Sequence, residues 1–221
     1  DKGREFPSEI RPLRDERTGA PVWQVTDQPG VNHSLYFLTN SFLPGEQSLV
    51  FASFRSGSAQ FFQAGFPSGS LRQLSDSKDI NSFSSILSAD GRELFFTRAA
   101  QIAAVRLDTL DERVVAEFPG GKLGEVNLSC DGQWLVSAIR LGNRHGIVTA
   151  AADGSGGSMI HEQDRTIIHP QFSRTDPFVI EYAADPAPRM YLINRDGSGN
   201  RCLYEHGNDQ FLVHETWLGD T

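Results

Sequence analysis

Along this chain, apolar and polar positions gather into short runs that end in a tight turn and restart. Leu43-Pro44-Gly45-Glu46-Gln47-Ser48-Leu49-Val50-Phe51 reads this way, and so does Ser88-Ala89-Asp90-Gly91-Arg92-Glu93-Leu94-Phe95-Phe96. The pattern returns at Ser129-Cys130-Asp131-Gly132-Gln133-Trp134-Leu135-Val136 and at Arg174-Thr175-Asp176-Pro177-Phe178-Val179-Ile180. Asp-Gly between strand-like segments is a hairpin signal, because glycine accepts the positive φ that a tight turn needs. No window carries a sustained i, i+3, i+4 apolar stripe. β-branched and aromatic residues dominate the periodic segments, so strands are predicted and helices are not.

The turn aspartates fall at positions 90, 131 and 176, with spacings of 41 and 45, and Gly45 precedes Asp90 by 45. Such a period with four short strands per unit is what a β-propeller blade requires. The second unit places strands at Phe83–Leu87, Glu93–Thr97, Ile102–Leu107 and Arg113–Glu117. The fourth places them at Ile168–Phe172, Phe178–Tyr182, Met190–Asn194 and Arg201–Tyr204. The predicted class is all-β: one propeller domain of four-stranded blades, with units over 27–80, 81–122, 123–166 and 167–210 and a partial fifth over 211–221. The fifth unit begins with a strand at Phe211–Trp217, and Asp220 follows Asp176 by 44, inside the next hairpin turn. Such a strand lacks a hydrogen-bonding neighbour. Val22–Thr26 is the kind of segment that completes the last blade of a closed ring. Together these features predict a piece of a longer protein, about four and a half blades of it.

Composition narrows the partners. With 28 acidic and 20 basic residues the net charge is −8, which argues against nucleic acid or an anionic membrane as partner. No apolar run reaches the ~20 residues of a spanning helix, and Asp1-Lys2-Gly3-Arg4-Glu5 lacks the architecture of a secretory leader. The expected location is the cytoplasm, with the periplasm as alternative. Cys130 and Cys202 form no CxxC pair and read as buried thiols, with a disulfide as the lesser alternative.

Candidate chemistry gathers near the C-terminus. His214 lies in Val213-His214-Glu215-Thr216-Trp217, on the predicted innermost strand of a blade, where side chains face the central channel. Imidazole titrates near neutrality and serves as a base; the bland alternative is a histidine capped by its neighbours in a sheet. His169 begins the inner strand of the fourth unit at the matching position, 45 residues earlier. His33 leads the inner strand of the first unit. Arg189 stands where the proline-rich loop Asp185-Pro186-Ala187-Pro188 runs into a strand. Its guanidinium suits bidentate capture of a carboxylate, or else a salt bridge to Asp185 or Asp196. His145, His161 and His206 read as surface residues. The glycine-rich stretches at Asp153–Ser158 and Asp196–Asn200 lack the Lys-Ser/Thr of a phosphate loop and read as exposed hairpins. Gln210 and His214 make an incomplete metal site.

Several of these segments resemble the oligogalacturonate lyase family. Thr18–Thr26 is similar to that family's first strand, His33-Ser34-Leu35-Tyr36-Phe37 to its His-x-x-Tyr-Phe segment, and Asn81–Asp90 to its second-blade start. The most specific matches are Arg189-Met190-Tyr191-Leu192-Ile193-Asn194-Arg195-Asp196-Gly197 and His214-Glu215-Thr216-Trp217, while Ser137–Arg144 matches poorly. The resemblance implies a seven-bladed propeller that cleaves short galacturonides by β-elimination to 4,5-unsaturated products. It implies Arg189 and His214 as the catalytic pair, His169 and His33 as substrate-binding residues, and manganese (Mn2+) as cofactor. The family's metal ligands, a histidine and a Gln-x-x-His-x-His cluster, belong to later blades. This chain is therefore expected to hold no metal and to be inactive by itself. The competing reading is a non-catalytic propeller that binds saccharide or protein, or a lyase for another uronate.

Overall fold

A computed structural model describes residues 1–219, and among them there is no helix. Four antiparallel sheets follow one another along the chain. The first blade holds β4 (Asn32–Ser34), β5 (Ser48–Ser53), β6 (Gln60–Gly65) and β7 (Leu71–Gln73), with β1 (Glu5–Phe6) added outside β7. The second runs through β8 (Ile86–Leu87), β9 (Glu93–Arg98), β10 (Gln101–Arg106) and β11 (Glu112–Glu117). The third has β12 (Lys122–Leu128), β13 (Trp134–Leu141), β14 (Arg144–Ala151) and β15 (Gly157–Gln163). The fourth has β16 (Thr166–Phe172), β17 (Val179–Asp185), β18 (Met190–Asn194) and β19 (Arg201–Tyr204). Each is an up-and-down meander of four strands, the blade of a β-propeller.

The turns form as their residues dictate. Gly91 and Gly132 sit at φ +69° and +71°, where a Cβ would be strained. The serine that opens each of these turns ties them down: Ser88 Oγ accepts from the Glu93 amide at 2.9 Å, and Ser129 Oγ accepts from the Trp134 amide at 2.9 Å. Asp153–Ser158 and Asp196–Asn200 lie in exposed hairpin turns, as expected.

The core lies between blades. Val50, Phe61, Leu94, Phe96 and Val105 fill the space between the first and second. Phe95, Ile102, Leu123, Leu135 and Val148 fill that between the second and third. Val136, Ile147, Ile180, Tyr182 and Ile193 fill that between the third and fourth. Adjacent residues such as Phe95 and Phe96 serve opposite interfaces, since side chains alternate across a strand. Both faces are covered, so the central strands read as unbroken apolar runs.

Two expectations need correction, the strand at Phe211–Trp217 and the buried cysteines. Phe211–Trp217 is not a strand: among the described residues no second strand lies beside it to take its hydrogen bonds, and Phe211 and Leu218 stand 89% and 85% exposed. Asp220 lies outside the described residues. Val22–Thr26 supplies β3 (Pro21–Gln24), which pairs with β2 (Arg11–Arg14) alone, while Val25, Phe6 and Phe66 pack on the first blade's outward face. Cys130 is exposed rather than buried, Cys202 is half-buried, and both are free thiols.

Candidate functional site

In the fourth blade the register between β16 and β17 shifts between Ile168 and Gln171. His169 therefore sits at a β-bulge in the middle of β16, not at its start. β12 and β13 shift register at the equivalent place, between Leu123 and Val126, so the third and fourth blades share the bulge. Bulges re-aim side chains, and here the residue is driven into left-handed backbone: His169 has φ +56°. His214, 45 residues on, has φ +58° at a bend outside any strand. For a residue with a Cβ this costs about 1–3 kcal/mol and persists only where surrounding contacts hold it.

Glu215 joins the pieces. Its Oε1 accepts from Arg189 Nε at 2.9 Å, and its Oε2 lies 3.3 Å from His169 Nδ1. The other ring nitrogen, Nε2, meets the Tyr36 hydroxyl at 3.0 Å. Tyr36, Phe37 and His214 line up around the same imidazole: the His214 ring centre is 6.0 Å from that of His169 and 4.6 Å from that of Phe37. His33 reaches the group through rings alone, stacked on Phe83 at 4.6 Å, with Phe83 edge-on to Tyr36 at 5.5 Å. Thus His214 adjoins His169 through their rings, Arg189 reaches His169 through Glu215, and His33 stands at the margin. His33 Nε2 is buried without a partner among the described residues.

Arg189 is held from several sides. Its Nη1 pairs with Asp185, which is the salt bridge left open as its alternative role, while Asp196 binds Ser198 instead. Its backbone N–H donates to His206 Nε2 at 2.9 Å, so His206 is half-buried and part of this loop rather than a plain surface residue. His145 and His161 are half-buried too. Arg165 clamps the proline loop from behind, donating to Pro186 and Pro188 carbonyls and to the Tyr191 hydroxyl. Among the described residues no acceptor meets Arg189 Nη2, but Glu215 on Nε and Asp185 on Nη1 each occupy one donor of the two edges, so only Nη2 is left for a ligand and the bidentate capture expected from the sequence is not available. Arg189, Asp185 and His206 line a cavity of about 410 Å³ with Gln210, Phe211 and Leu212. A larger cavity of about 710 Å³ opens at the opposite end of the inner strands, past Gln171 and Thr216. None of the four sequence-predicted residues lines it, so size does not mark the chemistry here.

The charges are strongly coupled. Burial works against ionisation of Glu215, yet the hydrogen bonds from His169 and Arg189 outweigh it and hold the carboxyl at about 2. Burial likewise works against the Arg189 charge, but Glu215 and Asp185 raise its pKa above the ordinary value. Burial, Glu125 and Glu215 all push the Tyr36 phenol up. Behind Glu215 lies Glu181, whose Oε2 accepts from Gln171 Nε2 at 2.8 Å while the same amide donates to the Glu215 carbonyl at 2.7 Å. Burial pushes Glu181 up to about 8, helped by the Glu215 charge and opposed by Gln171 and Arg189. Sequence reasoning missed Glu215, Tyr36, Gln171 and Glu181 as members. The available signal was an acid between His214 and Thr216 on a segment predicted to face the channel.

Among the described residues no three His, Cys, Asp or Glu side chains form a group able to hold a metal ion. Both Glu215 oxygens are already taken by Arg189 and His169. The residues present do not fit a manganese cage, and no chemistry here is routed through one.

Meandering four-stranded blades define a β-propeller, and its fourth blade and the segment after it carry a buried Arg-Glu-His chain. No protein-family model matches the chain. It is similar to an oligogalacturonide lyase of Pectobacterium atrosepticum, 22% identical over 251 residues that cover 99% of this chain and 63% of that protein. It is also similar to an oligogalacturonate lyase of Dickeya dadantii, 20% identical over 98% of this chain and 63% of that one. The solved structure of an oligogalacturonate lyase in complex with manganese superposes with a TM-score of 0.90 at 22% identity, covering 99% of this chain and 65% of that one. The resemblance read from the sequence is thus found along nearly the whole chain, and the fold is shared. The chain spans about 63% of the length of these curated relatives.

Proposed function

We propose that the protein belongs to an oligogalacturonate lyase and takes part in β-elimination on short galacturonides. The observation that carries this reading is the meeting of Arg189, His169 and His214 at one place, from segments 20 to 45 residues apart. In the proposed reaction, the one unpaired nitrogen of Arg189, Nη2, engages the uronate carboxylate and offsets the negative charge that builds beside it. His214, exposed and without a hydrogen-bond partner among the described residues, takes the C5 proton. The C5–H electron pair forms the C4=C5 double bond, the C4–O bond breaks with its electron pair going to the leaving oxygen, and that oxygen takes a proton from water. A positioned base contributes roughly 10²–10⁴-fold. His169, engaged at both ring nitrogens, supports the sugar site from beneath, and His33 borders it at the margin. Manganese, present in the solved structure of an oligogalacturonate lyase, would belong to a chain of the relatives' full length, and none of the steps above depends on it.

The second reading, a non-catalytic saccharide- or protein-binding propeller, is favoured by one feature: Arg189 already has two carboxylate partners, so its charge is largely offset. Ultraviolet absorbance of unsaturated product from di- and trigalacturonate, with and without manganese, separates the two. The lyase reading expects metal-dependent product from a chain of the relatives' full length and little from residues 1–221 alone. No product from either moves the assignment to the binding module.

A further inference from the structure

Glu215 stands apart from the residues assigned above: it is buried and touches both the arginine and the histidine, but it has no open edge for a ligand. We propose that Glu215 is the positioning residue of this site, fixing the tautomer of His169 and the orientation of Arg189 at once. This rests on the lyase reading only for what the positioned groups then do.

The chemistry leaves little freedom. A carboxyl held at about 2 is ionised throughout the neutral range and is an acceptor only. His169 Nδ1, 3.3 Å away, must therefore carry the hydrogen. A neutral ring then has a lone pair on Nε2, and the Tyr36 hydroxyl 3.0 Å away is the donor that meets it. The phenol is suited to that, since burial and the nearby carboxylates favour its protonated form. On the other oxygen the Arg189 Nε–H sets the guanidinium plane, and with Asp185 on Nη1 only Nη2 is left without a partner among the described residues. The carboxylate itself is kept in place from behind, because Gln171 ties the Glu215 carbonyl to Glu181 and Thr216 Oγ1 donates to Gln171 Oε1 at 3.3 Å. One chain thus runs from Tyr36 through His169 and Glu215 to Arg189 and Asp185. A carboxylate that orients an imidazole is a recurrent device, and behind metal-bound histidines its removal costs roughly 10–100-fold in affinity or activity.

The test is nitrogen-15 NMR of histidine-labelled protein at about pH 8, above the ordinary histidine range, with His169 assigned by loss of its signals in His169→Asn. The expected result is a His169 ring protonated at Nδ1 with Nε2 as acceptor, and loss of that single tautomer in Glu215→Gln. Protonation at Nε2 in the unaltered protein, or an unchanged tautomer in Glu215→Gln, would overturn the proposal. The unaltered protein decides alone if the variant does not fold. Elimination by the full-length protein is measured beside it, with a drop of roughly 10–100-fold expected for Glu215→Gln. A Nδ1-protonated ring in a protein that makes no unsaturated product would sink the lyase reading and leave the positioning role of Glu215 standing.

Discussion

His169 and His214 occupy equivalent places one blade apart, in the same left-handed backbone, and share almost nothing else. His169 is 7% exposed and held at both ring nitrogens, by Glu215 and Tyr36. His214 is exposed, with only the Phe37 and His169 rings beside it. The difference lies in the residue that follows each. Pro170 cannot donate a backbone hydrogen bond and keeps its side chain apolar, whereas Glu215 turns inward and supplies the charge to its neighbour's predecessor in the repeat. A repeated backbone thus carries two different histidines, one fixed and one free. Fixation suits an orienting or binding role. Freedom suits proton transfer, because a base whose nitrogens are already engaged has no lone pair to offer.

The sharpest way to break this contrast is to remove each ring. For His214→Ala, elimination by the full-length protein should fall by about 10²–10⁴-fold with the unfolding midpoint unmoved, since the ring is exposed and makes no hydrogen bond among the described residues. For His169→Ala, the midpoint should fall by the equivalent of about 1–3 kcal/mol, the cost of leaving buried partners unmet, with a smaller loss of rate. Paired thermal melts and product assays read both. Equal behaviour of the two variants would erase the distinction.

The two glutamates behind the histidines predict opposite pH limbs. Glu215 is held at about 2 against an ordinary 4.5. The unfolded chain binds the proton more readily, so this contribution to stability is complete above 4.5 and is lost as pH falls towards 2. Glu181 sits at about 8 against an ordinary 4.5. Here the folded state keeps the proton longer, so stability declines as pH rises from 4.5 to 8. Urea midpoints measured across that window should fall with pH in the unaltered protein and flatten in Glu181→Gln. A flat profile before substitution would mean that Glu181 is ionised at neutral pH.

The blades were legible because their signals are local. Met190–Asn194 and Arg201–Tyr204 coincide with the observed β18 and β19, where hairpin turns bound each strand. Phe83–Leu87 shrinks to Ile86–Leu87 because Ser84 turns back on Asn81, its amide reaching the Asn81 carbonyl at 3.0 Å. Phe211–Trp217 has the alternation of a strand but no neighbour among the described residues, and alternation cannot report the neighbour. The site was legible in its cations and not in its anions. Arg189 and the histidines stand out as scarce residue types beside distinctive turns. Glu215 is one of 28 acids, and its partners lie 26 and 46 residues away. That separation is set by the bulge and the blade period together, which no short window contains.

The finest test of the fixed histidine takes away one of its two anchors. Tyr36→Phe removes the hydroxyl beside His169 Nε2 and leaves the ring contacts with Phe37 and Phe83 in place. The expected loss is about 1 kcal/mol, the net worth of one ordinary hydrogen bond, seen as a modest shift of the melting midpoint. The Nδ1-protonated tautomer should survive, because the carboxylate alone dictates it. Loss of that tautomer in Tyr36→Phe would move control of the ring from Glu215 to the phenol, and the fixed histidine would then be set by the first blade rather than by the segment that carries His214.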